Sequence, residues 1–170
     1  VPDMVAETMK EISKITGREY KPFTYYGAED AENIVIAMGS ITETLKETVD
    51  YLMAKGEKVG VITVHLYRPF SPKYLAEVLP ESVKRICVLD RTKEPGAQGE
   101  PLYLDIVEAF ASCNECTKKP LIIGGRFGLS SKDTTPAQML AVFENLKAAE
   151  PRNRFTVGIN DDVTHLSLPV

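Results

Sequence analysis

Apolar runs that end abruptly at turn residues set the layout of this chain. Ile34-Val35-Ile36-Ala37-Met38 is apolar at consecutive positions, the pattern of a strand buried on both faces of a parallel sheet, and Gly39-Ser40 ends it. Leu45, Val49, Leu52 and Met53 then recur at helical spacing up to Lys55-Gly56. A second apolar run over 59–64 completes a strand–helix–strand crossover. Arg85-Ile86-Cys87-Val88-Leu89 is a third run, ending in Asp90-Arg91, and Leu121-Ile122-Ile123 a fourth. The pattern predicts strands over 33–39, 58–64, 84–89 and 120–124, with Phe155-Thr156-Val157-Gly158-Ile159 as a further strand-like piece.

The intervening segments carry helix signals. Val5, Met9, Ile12 and Ile15 form an apolar stripe over 2–16, closed by Gly17. Ser71-Pro72 offers an N-cap and a first-turn proline to a short helix with Leu75, Val78 and Leu79. Pro101 starts a helix carrying Leu102, Ile106 and Phe110, and Thr135-Pro136-Ala137-Gln138 fits a capping box ahead of Met139, Val142, Phe143 and Leu146. Strands alternating with helices predict an α/β fold of three layers, with a mainly parallel sheet of about five strands and helices on both faces. The expected division is an N-terminal helix and connecting arm over 1–32, an α/β domain over 33–150, and an exit segment over 151–170. Arg18 to Asp30, with Pro22, Gly27 and several aromatics, reads as arm rather than core. Neither end has natural helix punctuation, which suits a fragment of a longer polypeptide.

At 170 residues the chain suits one well-buried core. A net charge of −4, with the charges dispersed, gives no basic face for nucleic acid. No apolar run approaches the ~20 residues of a membrane span, and there is no leader pattern, so a cytoplasmic location is expected. Three cysteines do not make a secreted disulfide framework. Cys87 lies in an apolar run, and the Cys113–Cys116 pair follows a helix and lacks partner ligands, so neither zinc nor an iron–sulfur cluster is expected there. Gly39-Ser40 lacks the spacing of a nucleotide fingerprint, and Asp161-Asp162 lacks the ligand count of a calcium loop.

The candidate chemistry sits where strands give way to helices, since ligands and neighbouring domains meet an open parallel sheet at the carboxyl ends of its strands. Two loops qualify. Asp90-Arg91-Thr92-Lys93-Glu94-Pro95-Gly96-Ala97-Gln98-Gly99 follows the third strand, and Gly124-Gly125-Arg126-Phe127-Gly128 follows the fourth as a second flexible, cationic loop. Arg91, Lys93, Glu94, Gly96, Gln98, Gly99, Gly125 and Arg126 are the candidates for interdomain or substrate-channel contact, because arginine's planar fork grips a carboxylate at two points. The alternative is that these charges only stabilise the loops internally. No nucleophile is paired with a base, and no catalytic or cofactor-binding set is found.

With those residues in place the chain resembles the second, transketolase C-terminal-like domain of pyruvate:ferredoxin (flavodoxin) oxidoreductase. The resemblance covers nearly the whole chain. It rests on Tyr25-Tyr26-Gly27-Ala28-Glu29-Asp30-Ala31-Glu32, Ala37-Met38-Gly39-Ser40, Tyr67-Arg68-Pro69-Phe70, Leu89-Asp90-Arg91-Thr92-Lys93-Glu94-Pro95-Gly96 and Gly125-Arg126-Phe127-Gly128-Leu129-Ser130-Ser131-Lys132. Phe155-Thr156-Val157-Gly158-Ile159, leading into Asp161-Asp162-Val163-Thr164, completes it. The resemblance implies a large enzyme that makes acetyl-CoA and CO2 from pyruvate and CoA. Such an enzyme uses thiamine diphosphate, magnesium and iron–sulfur clusters and passes electrons to ferredoxin or flavodoxin. It also implies that other domains hold those cofactors, that this chain binds none alone, and that the parent is a homo-oligomer. The expected role is therefore a non-catalytic structural and interdomain domain, inactive in isolation. The alternatives are an independent small-ligand-binding α/β module, or the equivalent domain of another 2-oxoacid oxidoreductase.

Overall fold

Alternation along the strands divides the apolar residues between two layers of helix. The computed structural model describes residues 1–112 and 119–170, so Cys113 and Cys116 lie outside the described residues. Its elements are α1 (Pro2–Thr16), β1 (Phe23–Gly27), β2 (Asn33–Met38), α2 (Ile41–Met53), β3 (Val59–Val64), α3 (Pro72–Val78), β4 (Arg85–Asp90), α4 (Pro101–Ser112), β5 (Leu121–Arg126), α5 (Pro136–Lys147) and β6 (Phe155–Thr156). They form one sheet in the order β1-β3-β2-β4-β5-β6. All its pairings are parallel except that of β1 with β3.

Successive side chains of a strand point to opposite faces. Val35, Ala37, Val59, Val61, Cys87 and Leu89 accordingly pack under α2 and α5, together with Leu45, Val49, Val142 and Phe143. Ile34, Ile36, Ile62, Ile86 and Val88 pack on the other side, with Leu75 of α3 and Leu102 and Ile106 of α4. The result is the expected three-layer α/β architecture. Cys87 is fully buried and its thiol pKa is pushed up by desolvation, which keeps it an inert core residue.

Three local expectations change. The arm contains a strand: β1 pairs antiparallel along β3, with Phe23 opposite Val64 and Gly27 opposite Gly60, which brings the sheet to six strands. Phe23 and Tyr25 turn to the core, and the exposed aromatic Tyr26 masks that alternation in the sequence. The second rim loop is also shorter than expected, because β5 runs past the expected end at Gly124 to take in Gly125 and Arg126. These glycines serve close packing rather than flexibility. The ring of Tyr103 lies where a Cβ on Gly124 would stand, and the ring of Phe155 where a Cβ on Gly125 would stand. Finally, only Phe155 and Thr156 of the last strand-like piece pair with β5.

The helix signals hold more closely. Thr135 Oγ1 accepts from the Gln138 amide, and Gln138 reaches back to the Thr135 amide, completing the capping box of α5. Ser71 occupies the N-cap of α3 with Pro72 in the first turn, but its hydroxyl makes no capping hydrogen bond.

Candidate functional site

Parallel pairing carries β4 and β5 to a common rim, where Asp90 stands opposite Arg126. Both side chains turn toward the start of α4. Asp90 accepts hydrogen bonds from the amides of Leu102 (3.0 Å) and Tyr103 (3.1 Å), two of the donors that a helix N-terminus leaves unpaired. Burial raises the Asp90 pKa; the two amides oppose the rise, and the negative charges of Glu100 and Asp105 add to it.

Arg126 is engaged within the domain. Its Nε donates to Glu100 Oε1 at 2.7 Å and its Nη1 donates to the Arg154 carbonyl at 2.9 Å. Arg126 is 9% exposed and Glu100 2%. The junction between loop and helix is thus fixed to the ends of two strands, through Asp90 on β4 and Arg126 on β5.

Between these fixed points the loop faces outward. Arg91, Lys93, Glu94, Gly96 and Gln98 are all exposed, and Gly96 adopts φ 82°, a conformation that favours glycine. Arg91 Nε reaches only to 3.5 Å from the Gly128 carbonyl. The Gln98 carbonyl accepts from Arg154 Nη2, and Gly99 is buried against the Tyr103 ring. Of the eight candidates, then, the exposed loop carries five, whereas Gly99, Gly125 and Arg126 are buried.

A second cluster flanks this rim. Arg68 Nη1 donates to Asp105 Oδ2 at 2.7 Å, Arg68 Nη2 donates to the Tyr67 hydroxyl at 3.0 Å, and the guanidinium lies 3.9 Å above the Tyr67 ring. The Tyr67 hydroxyl pKa is pushed up to about 12, chiefly by burial and then by Asp105. Sequence reasoning found the Tyr67-Arg68 motif but not its partner. Glu100, Asp105 and Arg154 were also missed as site residues. Only Glu100 carries a usable signal, an acidic side chain placed immediately before the first-turn proline of a helix.

The donor chemistry does not fit a metal–diphosphate group. Both oxygens of Asp90 already accept amide hydrogens, and the buried cation Arg126 is matched by Glu100. Among the described residues, no group of three or more His, Cys, Asp or Glu side chains is placed to hold a metal ion. Asp162 accepts from the Thr164, Leu166 and Ser167 amides, which uses one of the paired aspartates in a turn. Away from the rim, a groove of about 660 Å³ separates α1 from β1 and α3. No helix described is long and apolar enough to cross a membrane.

The family model for pyruvate:ferredoxin oxidoreductase core domain II matches residues 31–136. The chain belongs to this family. A pyruvate-flavodoxin oxidoreductase of Enterobacter agglomerans is 57% identical over the whole chain, which covers 14% of that protein. A pyruvate:ferredoxin oxidoreductase of Moorella thermoacetica is 54% identical over 99% of the chain, again 14% of the relative. The domain therefore spans about one seventh of the length of these curated relatives. A 2-oxoglutarate:ferredoxin oxidoreductase from Magnetococcus marinus, solved with 2-oxoglutarate, coenzyme A and succinyl-CoA bound, shares the fold of domain II. Its TM-score is 0.52 at 21% identity, over 79% of this chain and 21% of that one.

Proposed function

We propose that this domain is a non-catalytic structural and docking module of a pyruvate:ferredoxin or pyruvate:flavodoxin oxidoreductase. Its parent converts pyruvate and CoA to acetyl-CoA and CO2 and reduces ferredoxin or flavodoxin. One observation supports the non-catalytic assignment above the others: the buried ionisable groups of the rim are already spent on the fold, Glu100 on Arg126 and Asp90 on the first amides of α4. Thiamine diphosphate, magnesium and the iron–sulfur clusters belong, on this reading, to other domains of the same polypeptide. The exposed loop of Arg91, Lys93, Glu94, Gly96 and Gln98 then contacts a neighbouring domain or borders the substrate channel. The parent is cytoplasmic and homo-oligomeric.

The test uses the full-length polypeptide that contains this sequence. Pyruvate-dependent acetyl-CoA formation coupled to flavodoxin or ferredoxin reduction is expected, and preference for 2-oxoglutarate would assign the domain to a different oxidoreductase. Calorimetric titration of the 170-residue chain with thiamine diphosphate and magnesium checks the other half of the reading. Tight binding by the chain alone would overturn the non-catalytic role.

A further inference from the structure

Helix α1 leaves part of its apolar stripe in water. It contributes no buried residue to either layer of the core. It is held at one end by Asp3, which accepts from the Tyr74 hydroxyl at 2.8 Å and from Lys73 Nζ at 3.4 Å, and at the other by Ser13, whose Oγ accepts from the Tyr20 amide at 2.9 Å. Asp3, Ala6, Glu7, Lys10 and Ser13 line the groove that faces the domain. At about 100° per residue, the charged residues of α1 (Asp3, Glu7, Lys10, Glu11 and Lys14) fall within an arc of roughly 100° that overlaps the groove side, and all five are exposed. Met4, Val5, Met9, Ile12 and Ile15 lie on the other side of the helix, where Val5 and Met9 are half-buried. Met4 is 69% exposed, Ile12 43% and Ile15 83%. Three large apolar side chains thus stand in water on a helix whose charged residues already supply a solvated face.

We infer that the outward apolar strip of α1, built on Met4, Ile12 and Ile15, is a docking surface for an apolar patch on another domain of the same polypeptide. The inference rests on the functional reading above, in that the domain works inside a multidomain protein. The size of the face selects this occupant over a second copy. At 15 residues α1 is about 22 Å long and presents a strip about 10 Å wide. Such a strip falls well short of the ~800 Å² per partner of a specific interface between separate proteins. A covalently attached neighbour, in contrast, is held at high effective concentration and needs far less area. The curated relatives, of which this chain covers 14%, contain the further polypeptide that such a neighbour requires.

The experiment is maleimide labelling of the folded full-length polypeptide, read peptide by peptide, in Ile12→Cys, Ile15→Cys and Lys14→Cys variants. Labelling at positions 12 and 15 is expected to be slower than at 14 by about tenfold or more, and to stay so on dilution, because covering the apolar face leaves only local opening to expose it. Equal rates at all three positions would overturn the inference, as would protection that vanishes on dilution as subunits separate, which would assign the face to a second copy. Labelling is independent of turnover. Free labelling in a polypeptide that oxidises pyruvate would sink only this inference, and protection in one that does not would sink only the functional reading.

Discussion

Glu100 and Arg126 form a 2.7 Å ion pair buried between the start of α4 and the end of β5, and it joins the two structural units that frame the exposed rim loop. Breaking a buried pair by removing one partner strands the other charge, at a cost of about 3–5 kcal/mol, whereas replacing both with apolar groups of similar size leaves no stranded charge. Arg126→Met is therefore expected to lower the urea midpoint sharply, and Arg126→Met/Glu100→Leu to recover most of the loss. A double variant no more stable than the single one would show that the pair contributes little.

Gly125 and Phe155, register partners in β5 and β6, also meet in direct contact. A Cβ at position 125 would overlap the Phe155 ring, which is itself fully buried. Gly125→Ala is expected to destabilise the domain by about 1–3 kcal/mol through overpacking. Phe155→Leu should relieve much of that strain, so thermal melts of the two single variants and the double should be clearly non-additive. Strict additivity would mean that the ring moves aside freely.

These two contacts also mark where the sequence was readable and where it was not. Residues 34–37 and 86–89 are apolar at every position because helices cover both faces of the sheet, so their strands are evident in the sequence itself. The α5 capping box is likewise local, contained within Thr135 and Gln138. Gly124 and Gly125 look like loop residues, since glycine normally weakens a strand; what keeps them in β5 is a pair of aromatic rings from α4 and β6. The same holds for the site. Asp90, Arg91 and Arg126 stand out as charges next to apolar runs, but Arg126 meets Glu100 across 26 positions of sequence, a pairing that only the parallel register of β4 and β5 creates. The orientation of α1 was equally hidden, because its stripe predicts a helix without saying which side the domain lies on.

Asp162 organises the turn that returns the C-terminal segment to the sheet. Its carboxylate accepts from the Thr164 amide and hydroxyl and from the Leu166 and Ser167 amides, and these bonds hold its pKa well below the usual value, the Thr164 hydroxyl contributing most. A depressed carboxylate pKa stabilises the fold above the unfolded value of 3.8 and loses that effect as pH falls toward the folded value. The Asp162 carboxyl carbon is expected to titrate by NMR with a midpoint below 3.8. Asp162→Ala should speed protease cleavage within 163–170 at neutral pH. Unchanged cleavage would show that the segment is held by Leu168 rather than by this turn.

Asp90 should behave in the opposite sense, although it too accepts backbone amides. Its carboxylate is buried, and desolvation, helped by the negative charges of Glu100 and Asp105, outweighs the Leu102 and Tyr103 amides, so the folded pKa lies above 3.8. Between the unfolded and folded values the native state holds more protons than the unfolded one. Stability contributed through Asp90 is then fully present below 3.8 and is lost as pH rises through the raised folded value. Asp90→Asn removes that titration while keeping one acceptor for the start of α4. The other titrating groups are common to both proteins, so subtraction isolates position 90. Wild type is expected to lose stability relative to Asp90→Asn as pH is raised from about 4 toward 7, measured by urea unfolding at each pH. A difference that stays constant, or that grows in favour of wild type, would mean that the two amides hold Asp90 as tightly as water does and that the rim carries its charge without cost.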